Sequence, residues 1–167
     1  MFKIGDKVVH PAHGAGVVAG IEQRDIVDDF DRYYVIDLAA QTMRLMVPVR
    51  MADDLGLRLV ASAEGTREVL DVLAAVPDVL PDDFKARQTD LQVRMRVGSA
   101  VAVAEVVRDM ASRLRHRPCS PTETRLYQQA RTMLGGELAL AQGTDLDEAL
   151  TQIDGLVDRA LSAAGRD

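Results

Sequence analysis

One aromatic side chain, Phe84, stands at the head of the most basic stretch of the sequence. From there to position 131 run Lys85, Arg87, Arg94, Arg96, Arg108, Arg113, Arg115, Arg117, Arg125 and Arg131, against only Asp90, Glu105, Asp109 and Glu123. Ten cations facing four acids leave a local excess of six positive charges in a chain whose net charge is −6. Such a reversal is the footprint of a phosphate-facing surface. The same run also fits the solvated faces of ordinary helices. Phe84 has two readings of its own: it fills the core, or it projects as an apolar wedge beside a base step, propping open a duplex at an unstacking cost of a few kcal/mol. Arg87 and Arg94 lie four before and three after Leu91, so both can flank one side of a helix.

Other chemistry is poorly supported. His10 and His13 are three apart, with no cysteine near them, whereas zinc takes about four ligands. Gly14-Ala15-Gly16 lacks the rest of a phosphate-loop pattern and precedes a strand, which reads as a turn. Cys119 is the single cysteine, set in Pro118-Cys119-Ser120-Pro121 with only His116 close by. It has no partner for an internal disulfide. No serine sits in a nucleophile-elbow pattern and no acid pair stands out. The expectation is a protein without catalytic residues, bound metal or cofactor, and not an enzyme.

The elements that must position the basic stretch follow from periodicity. Through Val49 the pattern is short and alternating, with Lys7–His10, Gly16–Ile21, Tyr33–Leu38 and Met43–Val47 as strands and Asp28-Asp29-Phe30-Asp31 as a hairpin tip. So few strands limit their open edges best as a strongly bent sheet or small barrel. Six bases against seven acids in this part suit a protein partner better than phosphate. With 47% hydrophobic but only 4% aromatic residues and no Trp, the rest of the core must be Val, Leu, Ala and Met, which favours helices. Thr66, Val69, Leu70, Leu73 and Val76 share one helical face. Pro81 suits the first turn of a second helix, with Asp82 and Asp83 at its positive end. Phe84, Gln88, Leu91 and Met95 form its stripe, and Gly98 ends it. Ser99 caps a third helix, with Arg108 on its outer side. Ser120-Pro121-Thr122-Glu123 is a capping box with Pro at the first helical position. Gly143 stops that helix, and Thr144 or Asp145 caps a last one. After Arg131 there are two bases against seven acids, so those helices should face away from nucleic acid. The spacing predicts an α+β chain with a β-rich domain over 1–54 and a helical domain of about five α-helices over 55–167. No signal-peptide pattern and no apolar run of roughly 20 residues occurs, so a cytoplasmic protein without a membrane partner is expected.

Taken together, Phe2–Gly14, Met43–Pro48, Leu55–Arg58, Ala104–Met110 and Ala130–Ala141 resemble the CarD/CdnL family of bacterial transcription regulators, over nearly the whole chain and in order. The resemblance implies an N-terminal Tudor/SH3-like β-barrel that docks on the β subunit of bacterial RNA polymerase, like the polymerase-binding module of the transcription-repair coupling factor. It implies a helical domain that meets promoter DNA, without sequence specificity, through the minor groove and backbone at the upstream fork of the bubble. Such a monomer would stabilise the open complex and associate with the nucleoid through polymerase. Arg24 matches a polymerase-contact position. A second contact position appears as Met46 here, with Arg44 two residues earlier on the same strand face and Pro48 at the strand's end. On the DNA side the resemblance points to Phe84, Lys85, Arg87 and Arg94. Phe84 stands where the family usually has a Trp, which keeps an apolar plate but loses the indole N–H. Ala86 and Thr89 stand where relatives can carry basic residues. The competing expectation is an adaptor that docks on polymerase or another protein without touching DNA.

Overall fold

Alternating apolar residues build five N-terminal strands: β1 (Lys7–His10), β2 (Gly14–Val27), β3 (Phe30–Leu38), β4 (Arg44–Pro48) and the short β5 (Arg58–Leu59). The computed structural model describes residues 1–27 and 30–165. The expected hairpin tip at Asp28 and Asp29 lies outside them. All strand pairs are antiparallel, and the order is β4-β3-β2-β1-β5. The expected barrel is therefore an open sheet, with β4 and β5 as its edges. Val8, Val18, Tyr34, Ile36 and Val47 form the core on one face. Gly14-Ala15-Gly16 is not a turn but the start of β2. A Cβ on Gly16 would come within 2.5 Å of the Asp37 carbonyl oxygen, so the glycine permits a close backbone approach. Arg58 pairs with Val9, which carries the sheet past residue 54.

Five helices follow: α1 (Ala63–Ala74), α2 (Phe84–Val97), α3 (Ala100–His116), α4 (Pro121–Gln142) and α5 (Leu146–Ala164). Ser62, Asp83, Ser99, Ser120 and Asp145 cap them, each side chain accepting from a backbone N–H in the first turn. This satisfies donors that a helix start leaves free. Three expectations change. Pro81 lies before α2 rather than in its first turn, because Asp83 is the cap. Val76 is 70% exposed, since α1 has ended at Ala74. Arg108, placed outside by its position in the pattern, is 6% exposed. Val69, Leu73, Leu91, Val106, Val107, Met110, Leu134, Leu138 and Ile153 make the helical core.

The sheet and the helices meet at α4. Gly135 turns to α5, where an added Cβ would lie 2.6 Å from Leu150 Cδ2. Gly136, one step round the helix, turns to the sheet, and an added Cβ would sit 3.8–3.9 Å from Ala40, Ala15 and Ala39. Gly135 thus permits a close approach to α5 that a side chain would block, whereas at Gly136 a Cβ would make only ordinary contact. Lys7 Nζ donates to the Leu140 carbonyl at 2.8 Å. Among the described residues no helix is long and apolar enough to cross a membrane.

Candidate nucleic-acid interface and docking face

Phe84 opens α2 and is 48% exposed. Sequence periodicity placed it on the stripe of Leu91, which is fully buried, yet at the first position of the helix Phe84 keeps about half of its surface in solvent. Beneath it lies Arg87, its guanidinium carbon 5.8 Å from the ring centroid. Arg87 is 4% exposed and bonded through Nε and Nη1. Its Nη1 donates to the carbonyls of Pro81 and Asp82, each at 2.8 Å, and its Nε donates to Glu123 Oε1. Glu123 is the third residue of α4, and its other oxygen accepts from Ser120 N–H at 2.8 Å. One carboxylate therefore completes the capping box of α4 and anchors the start of α2. Burial pushes the Glu123 carboxyl up, but the Ser120 hydrogen bond, Arg87 and Arg113 together outweigh it and hold it below the usual range.

A second network fixes the connector that carries Phe84. Asp109, buried on α3, accepts from Asp78 N–H at 2.9 Å, Arg94 Nη1 at 2.7 Å and Arg108 Nε at 2.7 Å. Arg94 also pairs with Asp90 at 2.9 Å, and Arg108 Nη2 with Asp78 at 2.9 Å. Arg115 pairs with Asp158 and Arg131 with Asp154. Much of the cationic excess seen in the sequence is thus neutralised inside the fold. Of the four residues singled out on the DNA side, Phe84 and Lys85 project outward together, whereas Arg87 and Arg94 work as internal ties. Lys85, Arg96 and Arg117 are exposed and pair with no acid among the described residues. Arg125, also exposed, makes one long bond of 3.5 Å to the Pro121 carbonyl.

The sheet carries the other candidate face. Arg44, Met46 and Pro48 alternate along β4, opposite Asp37, Val35 and Tyr33 of β3. Tyr33 in turn pairs with Glu22 of β2, and Arg24, two residues on, donates through Nε to Glu22 at 2.8 Å. Because side chains alternate across a strand, all four residues share the face opposite the sheet's core. Arg44 Nε is held by Asp37 at 2.7 Å. Both arginines remain exposed to solvent, and β4 is an edge strand.

These two surfaces stand on a chain that matches two family models. Residues 2–60 match the CarD-like/TRCF RID domain and residues 68–154 match the CarD C-terminal domain. The chain belongs to the CarD family. That family's work is transcription regulation linked to RNA polymerase. A relative from Bacillus subtilis (strain 168), named "Putative transcription factor YdeB", is 27% identical over 145 residues, covering 86% of this chain and 94% of its own.

The other residues singled out in this CarD-family chain are His10, His13 and Cys119. The His10 and His13 rings lie 4.8 Å apart, and His10 Nδ1 accepts from Ala12 N–H at 3.1 Å. Burial, followed by the charge of His13, lowers the His10 pKa. Among the described residues no group of three or more His, Cys, Asp or Glu could hold a metal ion. Burial and then Glu123 push the Cys119 thiol up, which makes it a poor nucleophile. Sequence reasoning missed Asp109 and Glu137. A signal was present: each acid falls within the apolar pattern of a helix, Asp109 beside Val106, Val107 and Met110, and Glu137 between Leu134 and Leu138. An acid placed there must find a partner.

Proposed function

We propose that the sheet face with exposed Arg24 and Arg44 and half-buried Met46 and Pro48 docks on the β subunit of bacterial RNA polymerase, while α2 presents Phe84 to promoter DNA at the upstream edge of the bubble. There the ring rests against an opening base step in the minor groove and slows bubble collapse, with Lys85 on the adjoining phosphates. The protein acts as a monomer in the cytoplasm, without catalysis, and reads no sequence. The β-rich part, which runs past residue 54 to β5, and the helical part from α1 onward divide these two tasks. The observation that supports this most is the half-exposed Phe84, seated on a buried Arg87 that donates to Glu123 and to two carbonyls. A ring at the exposed start of a helix, on a seat held by hydrogen bonds, suits an apolar wedge. Weak DNA affinity suffices, because docking on polymerase raises the local concentration of the helical part at the promoter.

A second reading is an adaptor that never meets DNA. It draws on the internal pairing of Arg87 and Arg94, which thins the phosphate contact. Crosslinking of α2 to promoter DNA in a polymerase complex separates the two. Salt-sensitive crosslinks at positions 84 and 85 support the wedge, and their absence with intact polymerase binding supports the adaptor.

A further inference from the structure

We infer that Arg58 is a positioning residue: it locks the sheet to the helices at the far end of α2 and so fixes where Phe84 stands relative to the docking face. This rests on the division of labour proposed above. Arg58 belongs to β5 and bonds in three directions. Its Nη1 and Nη2 donate to Glu137 Oε1 and Oε2 at 2.7 and 2.9 Å, its Nε donates to the Gly98 carbonyl at 2.9 Å, and Nη1 also reaches the Leu59 carbonyl at 3.0 Å.

Glu137 lies on α4, is 3% exposed, and additionally accepts from Ala61 N–H at 2.9 Å. It therefore holds the strand edge and the start of the chain leading to α1 with one carboxylate. A two-pronged arginine–carboxylate pair fixes angle as well as distance, which a flexible linker cannot do.

Gly98 is the left-handed C-cap of α2, with φ 70°. Pro11, from the β1–β2 corner, crowds the same spot: an added Cβ on Gly98 would meet Pro11 Cβ at 3.3 Å, and one on Gly56 would meet Pro11 Cγ at 2.9 Å. The sheet thus grips α2 at its C-terminal end while Phe84 occupies the opposite end. The Arg87–Glu123 and Arg94–Asp109 pairs tie α2 to α4 and α3, so the clamp acts together with the packing of α4 on the sheet, where Gly136 faces Ala15 and Lys7 reaches Leu140, and it is the contact that holds the C-terminal end of α2 itself.

The geometry is that of a lever. The 14 residues of α2 span about 21 Å at ~1.5 Å per residue. A tilt of about 10° at Gly98 moves Phe84 by ~4 Å, more than the ~3.4 Å that separates neighbouring bases on a strand. A weakened clamp that allows such a tilt takes the ring off its step.

The test uses Arg58→Met combined with Glu137→Gln, which leaves no buried charge unpaired. Spin labels at Ala19→Cys on β2 and Ala86→Cys on α2, in a Cys119→Ser background, report the distance between sheet and wedge helix. The clamp predicts one narrow distance in the parent and a distribution broadened by roughly 4 Å or more in the double variant. Polymerase capture should persist, and open-complex lifetime should fall by a factor similar to that of Phe84→Ala. An unchanged distribution, with folding intact by circular dichroism, overturns the inference. So does a full lifetime in the double variant where Phe84→Ala shortens it. If Phe84→Ala itself has no effect, the wedge reading fails, and the broadened distribution still supports the clamp.

Discussion

The Arg87 guanidinium lies 5.8 Å from the centre of the Phe84 ring and is held there by Glu123 and two carbonyls of the preceding turn. Contacts of this kind are worth ~0.5–1 kcal/mol at exposed sites. The larger effect is orientation, since a ring on a fixed platform loses little freedom when it meets a base. An arginine that looked like a phosphate contact in the sequence is in the fold the seat of Phe84, the proposed wedge.

Removing the ring tests the wedge directly. Base–aromatic contacts contribute ~1–3 kcal/mol, and about 1.4 kcal/mol is a factor of ten. Phe84→Ala should shorten promoter open-complex lifetime by about tenfold while leaving polymerase capture and thermal stability near parent values. Phe84→Trp should lengthen it. Competitor-challenged decay of a preformed complex reads both.

Arg87→Met should behave differently, because it strips a partner from a buried carboxylate. Removing one member of a buried pair costs about 3–5 kcal/mol. Urea denaturation of the variant should show a loss of this size, with the start of α2 losing amide protection first. An unchanged midpoint would mean that the Glu123 pair does not hold α2.

Acid should loosen the same joint. The Glu123 pKa is depressed in the folded chain and ordinary in the unfolded one. As pH falls through the usual glutamate range and then through the folded value, the unfolded chain takes up the proton first, so stability is lost across that window and is fully present above it. Urea midpoints from neutral to acidic pH should fall more steeply for the parent than for Glu123→Gln.

Lys85→Ala and Arg94→Ala should separate solvent-facing cations from internal ties. Each phosphate contact contributes about 0.9 to the slope of log affinity against log salt. Losing Lys85 should reduce the salt slope of open-complex stability by about that amount and leave folding unchanged. Losing Arg94 should lower stability by about 1.5–3 kcal/mol, since its bond is to a charged, buried Asp109, with little change in salt slope.

On the sheet, Arg24→Glu should abolish capture by immobilised RNA polymerase and leave the helical part folded. Normal recovery would remove Arg24 from the docking face.

Local signals in the sequence determined most of the elements. Strand alternation, the Ser120–Glu123 capping box and the glycines at 98 and 143 act within a few residues, so the order of strands and helices could be read without the fold. Even the shared face of Arg44, Met46 and Pro48 follows from a period of two. Which charges are free could not be read that way. Arg87 finds Glu123 and Arg58 finds Glu137 across long stretches of chain, and only packing brings them together. Arg108 looked outward because a helix has more than one neighbour, and periodicity does not say how many faces will be covered. The sequence set the cationic excess around Phe84; the tertiary structure divided it into exposed charges such as Lys85, Arg96 and Arg117 and paired ones such as Arg87 and Arg94, which tie the helices together, and Arg108, which pairs with Asp78 and Asp109, because ion pairing depends on distance in space and not along the chain.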